Sequence, residues 1–138
     1  MPLVTYLLSV AALNLLSTVL LHFALNRPLG ASAEMSSSKS VFRSMSHPLM
    51  LYFPLLAPTV QAALTRGLAV TFFGPSVASA WSREEGARFA LTLWAATSAH
   101  GIWLDFTTFQ ISPRILVSWL VGSAVSASIA GALLPMAF

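Results

Sequence analysis

The sequence predicts an all-α polytopic membrane protein with four transmembrane helices packed as one antiparallel bundle. Of its 138 residues, 57% are hydrophobic and only 8% are charged, whereas soluble domains carry roughly 25% charged residues. The mean hydropathy is +0.79. About 20 apolar residues span a bilayer, so four crossings joined by short loops would use nearly the whole chain. We therefore expect a single transmembrane domain over residues 1–138 and no soluble domain.

The charged residues and the absence of cysteine exclude several function classes. Seven Lys/Arg against four Asp/Glu give a net charge of +3, and these cations are too dispersed to neutralise the phosphates of a nucleic acid. No cysteine is present, which excludes disulfides, thiolate metal sites and cysteine nucleophiles. We expect neither a metal site nor a nucleic-acid partner.

The first predicted helix covers residues 3–25. This apolar run lacks a basic segment before it and is longer than the apolar region of a signal peptide, so it is interpreted as a retained membrane helix. Asn14 and His22 are its two polar intramembrane residues. A polar loop over residues 26–47 follows, interrupted by Pro28 and Gly30.

The second predicted helix covers residues 48–73. It begins at Pro48, a favoured first helical position, and Gly74-Pro75 ends it. Pro54 and Pro58 lie inside it and predict a kink, because each proline removes a backbone hydrogen bond and leaves a carbonyl that needs another partner.

The third and fourth predicted helices cover residues 83–109 and 115–134. Ser82 with Glu85 three residues later has the spacing of a capping box, which marks a helix start. A tight turn over residues 110–114, containing Pro113, makes the two helices an antiparallel hairpin. The loops on one face would carry Arg27, Lys39, Arg43 and Arg114, against Arg83 and Arg88 on the other, so both termini are expected to face away from the cytoplasm.

Small residues recur every four positions on the fourth helix. They are Ser118, Gly122, Ser126 and Ala130, and a stripe of this kind lets another helix approach closely. Packing inside the bundle is the favoured interpretation, and a dimer or subunit interface is the alternative.

Ionisable residues inside a membrane are expensive and mark candidate sites. Arg66 and Asp105 are interpreted as an interhelical ion pair or as side chains that reach the membrane surface; alternatively they serve a small transporter or channel. Asp105 is followed by two further polar residues, Thr107 and Thr108. His100 lies about 140° round the helix from Asp105, so the two cannot form a catalytic pair.

His100 is the candidate cofactor ligand. The pattern Ala96-x-x-x-His100-x-x-x-Leu104, with Trp103 beside it, resembles the surroundings of the pigment-binding histidine in bacterial light-harvesting polypeptides. That resemblance implies a tetrapyrrole ligand on His100. A haem held by His22 and His100 is a further alternative, and the ordinary interpretation is a buried histidine that is hydrogen-bonded across the bundle.

A broader resemblance covers most of the chain. Its residues are Phe72-Phe73-Gly74-Pro75, the segment from Trp81 to Gly86, Gly101, Asp105-Phe106-Thr107 and Gly122. These resemble a family of uncharacterised bacterial four-helix integral membrane proteins. Thr108 stands where that family has Asn, and Ser118 stands where it has an Asp. The resemblance implies the fold and no activity.

Three function classes follow from these features. The first is a non-catalytic accessory or scaffold subunit within a larger membrane protein complex, or a homo-oligomer, anchored by its tryptophans at the lipid interfaces. The second is a module that binds a hydrophobic cofactor, pigment, quinone or lipid through His100. The third is the transporter or channel. An enzyme is not expected, since no complete catalytic motif is present.

Overall fold

The protein is all-helical in the computed structural model, which describes residues 3–37, 48–108 and 111–138, and no strand occurs in those ranges. The predicted all-α class is therefore confirmed. The helices, in chain order, are α1 (Leu3–Leu21), α2 (Ala31–Ser37), α3 (Pro48–Phe73), α4 (Pro75–Ala80), α5 (Arg83–Trp94), α6 (His100–Thr108) and α7 (Pro113–Leu133).

Three short segments extend these helices. A π-helical turn, His22–Asn26, continues α1, and a second one, Ala95–Ala99, joins α5 to α6 without a break. A 3₁₀ turn, Leu134–Ala137, follows α7. π-Helical turns insert an extra residue into the helix and are frequent at functional sites.

Several predicted boundaries need correction. The predicted loop over residues 26–47 contains helix α2, and the predicted link after residue 73 contains helix α4. The last helix begins at Pro113, two residues before the predicted start at residue 115. Ser112 caps it by accepting a hydrogen bond from the backbone N–H of Ile115. Residues 38–47 with Lys39 and Arg43, together with residues 109 and 110, lie outside the described ranges.

The capping box predicted at Ser82 and Glu85 is present in the structure. The backbone N–H of Ser82 donates to the Glu85 carboxylate, and the Ser82 hydroxyl accepts from the Glu85 backbone N–H, which completes the capping box of α5. Helix α3 is continuous through Pro54 and Pro58. A kink at those prolines stays a prediction.

Helix α7 is the element on which the other long helices pack, since α1, α3 and α5 all contact it. Tyr6 of α1 lies against Ala130, whereas Asn26 at the far end of the same helical run lies against Ser118. Helix α1 therefore runs antiparallel to α7. Trp94 of α5 lies against Ser123, and Gly86, two turns earlier, lies against Gly131. Helix α5 is likewise antiparallel to α7.

The interior is built from small residues, and the outer surface from large apolar ones. Eight of the buried residues are alanines, and three are polar: Asn14, Thr65 and Ser118. Tyr6, Val10, Ile115 and Leu134 are the largest fully buried side chains. The outer face of α1 meanwhile exposes Leu, Val and Phe along its whole length. This distribution is the reverse of a soluble protein core, where the large aliphatic side chains are inside.

The closest helix contact joins α5 to α7 at two glycines. A Cβ built on Gly86 would lie 2.2 Å from the carbonyl oxygen of Gly131, and one built on Gly131 would lie 2.3 Å from the carbonyl oxygen of Gly86. Ala90 and Ala127, one turn away on each helix, are also buried. At the two glycines a methyl group has no room, whereas one turn away on each helix a single methyl group still fits.

Among the residues that the structure describes, two helical runs are long and apolar enough to cross a membrane: Leu3–Asn26, with a mean hydropathy of 1.9, and Pro113–Ala137, with 1.8. Only 17% and 33% of their most apolar windows are buried. The core helix of a soluble protein would be mostly buried, so these runs give support, though weak by themselves, for a membrane location.

Candidate functional site

The candidate site is a groove between α3 and α5. It has a volume of about 600 Å³ and is lined on one side by α3, from Leu56 to Leu68, and on the other by the run from Ala90 to Ser98. Helices α3 and α5 both pack on α7, so α7 lies behind the groove. Pockets of roughly 300–1,000 Å³ are typical of small-molecule sites.

Two side chains that line the groove are attached to neighbouring serines of α7. The Ser126 hydroxyl donates to Gln61 Oε1 over 3.3 Å, and Trp94 Nε1 donates to the Ser123 hydroxyl over 2.9 Å. Residues three apart on a helix are neighbours on its surface. The two bonds therefore hold Gln61 and Trp94 at nearly the same level along the axis of α7. An amide from α3 and an indole from α5 therefore line the two walls of one section of the groove.

Most of the other polar groups in the groove already have partners. The hydroxyl of Thr65 donates to the backbone carbonyl of Gln61, and that of Thr97 donates to the carbonyl of Leu93. The amide nitrogen of Gln61 is different, because it has no acceptor among the residues that the structure describes. Gln61 thus offers hydrogen-bond donors to a ligand in an otherwise largely apolar groove.

The two candidate residues of the transport hypothesis have different surroundings. Arg66 is half-buried, its Nε donates to the carbonyl oxygen of Ala137 over 3.4 Å, and its guanidinium lies 4.9 Å from the centre of the Phe138 ring. Asp105 is half-buried on α6, and within the described ranges neither a hydrogen bond nor an ion pair involves it. The predicted ion pair between Arg66 and Asp105 is therefore wrong, since Arg66 is held at the end of α7 instead.

His100 and His22 are both exposed, so the interpretation of His100 as a buried histidine is wrong. His100 follows directly after Ala95–Ala99 and does not line the groove. Helix α6 is α-helical from His100 to Thr108, which keeps His100 and Asp105 on different faces. His22 Nδ1 shares a hydrogen bond of 3.3 Å with the hydroxyl of Ser32. A tetrapyrrole on His100 and a haem shared with His22 both stay predictions.

The other residues that the sequence predicted as polar positions inside the membrane make local bonds or are exposed. Asn14 is buried and its side-chain amide donates to the carbonyl of Val10. Thr107 is exposed and donates to the carbonyl of Leu104, and Thr108 is exposed as well. These bonds within single helices satisfy the polar groups without forming a shared site.

The predicted small-residue stripe faces α1 and α3. Ser118 donates to Asn26 Oδ1 over 2.7 Å, Ser126 donates to Gln61, and the carbonyl of Ala130 accepts from the Tyr6 hydroxyl over 3.0 Å. A Cβ on Gly122 would meet no atom within 4 Å. Ser118, Ser126 and Ala130 thus contact other helices inside the protein. Among the described residues, no other helix lies close to the Cβ side of Gly122.

Sequence reasoning missed the residues that shape the site. Gln61 is the one glutamine in an apolar stretch of α3, which is a detectable signal because an amide in such a stretch needs a partner. The close contact had a signal too, since Gly86 and Ala90, and likewise Ala127 and Gly131, are four residues apart. Nothing in the sequence showed that Gln61 and Trp94 meet the same part of α7.

Comparison of the chain with protein-family models, with curated proteins and with solved structures gives no match. The resemblance to the uncharacterised four-helix family therefore stays a prediction.

Proposed function

We propose that the protein is an integral membrane protein whose four helical runs cross the bilayer as an antiparallel bundle. The observation that carries the proposal is the distribution of side chains: most of the buried residues are alanine, glycine or hydroxyl residues, whereas leucine, valine and phenylalanine make up most of the exposed large hydrophobic residues. Lipid removes the penalty for exposed apolar residues, and small residues at helix contacts allow the close packing that holds membrane helices together.

The lengths and directions of the helices agree with this proposal. The runs from residue 3 to 26, 48 to 73, 83 to 108 and 113 to 137 are each at least 24 residues long, and about 20 residues suffice to span the hydrocarbon layer. In the described ranges, no buried side-chain nitrogen or oxygen lacks a hydrogen-bond partner, as a medium without water requires.

Within the membrane, we propose that the protein is a non-catalytic accessory or scaffold subunit of a larger complex. Its described surface outside the helix ends consists mainly of apolar helix faces. The exposed face of α1 and the open side of the groove are surfaces that a neighbouring membrane protein can cover. In the sequence, the first and third connecting segments carry Arg27, Lys39, Arg43 and Arg114, against Arg83 and Arg88 after the second run, which favours a cytoplasmic position for the first and third segments.

The membrane position is tested by placing a charge on an exposed apolar residue. Leu16 is 55% exposed near the middle of the first run. Leu16→Lys is expected to cost about 3 kcal/mol of membrane insertion if this face meets lipid, and the fraction of chain that resists carbonate extraction should fall. Leu16→Ala, which shortens the same side chain without adding a charge, is the matched control and should leave the extraction unchanged. If this face meets water instead, Leu16→Lys will leave the fractionation unchanged.

The subunit function is tested by cross-linking in the native membrane. Because the chain has no cysteine, single cysteines can be introduced one at a time at exposed positions such as Leu8 on α1 and Leu64 at the groove. A stable subunit should give one cross-linked partner in constant ratio from one face and none from the others. Equal, weak cross-linking at every position would contradict the proposal.

A second candidate function is the binding of a hydrophobic ligand, and the groove between α3 and α5 favours it. The sequence suggested a ligand at His100. The groove favours a ligand beside Gln61 and Trp94 instead, because these two residues line it and His100 does not.

A further inference from the structure

The groove has the shape of a site for one elongated molecule. Its wall on α3 extends over thirteen residues, from Leu56 to Leu68, and the twelve steps between these two residues correspond to about 18 Å at 1.5 Å per step. Its volume of about 600 Å³ lies in the range of single-ligand sites. Leucine and valine side chains line most of its α3 wall, which suits an apolar chain.

One section of this groove carries both an aromatic ring and free hydrogen-bond donors. The bonds to Ser123 and Ser126 place Trp94 and Gln61 at nearly the same depth. Trp94 is half-buried, so part of its ring system is available to a ligand. The Gln61 amide nitrogen needs an acceptor, because an unpaired amide in an apolar medium costs several kcal/mol.

The depth of this section restricts the ligand. Gln61 is the fourteenth residue of the 26 in α3, and Ser126 is also near the middle of its run. On the proposed membrane placement, the Gln61 amide is near the bilayer midplane, about 15 Å from either edge of the hydrocarbon layer. The ester carbonyls of a phospholipid stay at those edges with the headgroup, so they do not reach Gln61.

We propose that this groove binds a lipophilic quinone: a flat ring bearing carbonyl groups, attached to an apolar chain. One carbonyl oxygen accepts a hydrogen bond from the Gln61 amide nitrogen, the ring packs on the indole of Trp94, and the chain lies along the leucine and valine wall of α3. The proposal rests on the membrane placement proposed above and names the ligand class and the site for the second candidate function.

A partner helix is a poorer occupant of the same groove. Helices approach closely in membranes through small residues, and the α3 wall here presents Leu56, Val60, Leu64 and Leu68. These large side chains prevent the close backbone approach that holds two membrane helices together, whereas they pack readily against an apolar chain.

The experiment measures the binding of decylubiquinone to the full chain in lipid nanodiscs. Wild-type protein should bind it saturably and shift a quinone C=O stretching band to lower frequency in the infrared difference spectrum, because that carbonyl accepts a hydrogen bond. Gln61→Leu should abolish the band shift and weaken binding by about 5- to 10-fold, the worth of one hydrogen bond.

Ser126→Ala is the matched control, because it removes the same interhelical hydrogen bond and leaves the Gln61 amide in the groove. It should retain the band shift and bind within about 2-fold of wild type. Decylbenzene, which has the chain and a ring but no carbonyl, should bind more weakly than decylubiquinone and should not respond to Gln61→Leu.

Three results would overturn the proposal: equal binding of decylbenzene and decylubiquinone, equal loss of binding in Ser126→Ala and Gln61→Leu, or displacement of decylubiquinone when the phosphatidylcholine content is raised. Leu16→Lys reports on membrane placement separately. A chain that inserts normally but binds no quinone therefore contradicts this inference alone.

Discussion

The interface between helices α5 and α7 is tightly packed at one end, at Gly86 and Gly131, and borders an open groove at the other, at Trp94. On the side of Gly86 and Gly131, the two backbones approach so closely that a single methyl group has no room. Further along α5, the indole N–H of Trp94 reaches α7 at Ser123, and a groove of about 600 Å³ opens towards α3. Along α5, the small size of Gly86 allows close packing on α7, whereas the large side chain of Trp94 lies where the groove opens.

This difference shows how a small helical protein can be rigid and still hold an open site. The glycine contact fixes the position of α5 against α7. The hydrogen bond that Ser123 accepts from Trp94 and the one that Ser126 donates to Gln61 fix the two walls of the groove. The groove therefore does not depend on packing between α3 and α5. Substitutions at the two ends of the interface should accordingly have very different effects on stability.

The largest effect is expected at the glycine contact. Gly131→Ala places a methyl group about 2.3 Å from the carbonyl oxygen of Gly86, and overpacking of this kind costs about 1–3 kcal/mol or more. The melting temperature in mild detergent should fall and the chain should lose its monodisperse elution.

Gly122→Ala on the same helix is the matched control, because a Cβ there meets no atom within 4 Å. It should leave stability unchanged or raise it by up to about 1 kcal/mol, since alanine favours the helix. Equal destabilisation by both substitutions would contradict the conclusion that the Gly86–Gly131 contact is too close to admit a methyl group.

An intermediate effect is expected at Tyr6, which joins α1 to α7. Its buried hydroxyl donates to the carbonyl of Ala130 over 3.0 Å and lies 3.4 Å from the carbonyl of Ala62. Tyr6→Phe keeps the ring and removes the bond, so the free energy of unfolding should fall by about 1 kcal/mol. Denaturant titration in detergent measures this change, and an unchanged midpoint would mean that the hydroxyl contributes nothing.

The smallest effect is expected in the groove. Ala57 lines it and is only half-buried, so Ala57→Leu should change the free energy of unfolding by no more than about 0.5 kcal/mol. The same substitution should reduce the binding of decylubiquinone, because the added side chain occupies part of the groove. A large loss of stability in Ala57→Leu would show that the groove is closed by packing and would remove the contrast with the glycine contact.

Much of the secondary structure could be predicted from local signals. The Ser82–Glu85 spacing located the start of α5, and Pro48 located the start of α3. Local signals failed where the outcome depends on a distant residue. Helix α2 was missed in a serine-rich stretch, although its Glu34 carboxylate accepts from the Ser112 hydroxyl, 78 residues away.

The sequence alone determined the helical class and the apolar character of the chain, because both follow from composition and from the hydropathy of neighbouring residues. Only the tertiary structure decided which small residues make the closest contact and which polar residues line the groove. The stripe through Gly122 and the pairs around Gly86 and Gly131 have the same spacing, and spacing does not specify which face meets another helix. Likewise, Gln61 and Trp94 are brought together only because α3 and α5 both pack on α7, a relation that no local pattern contains.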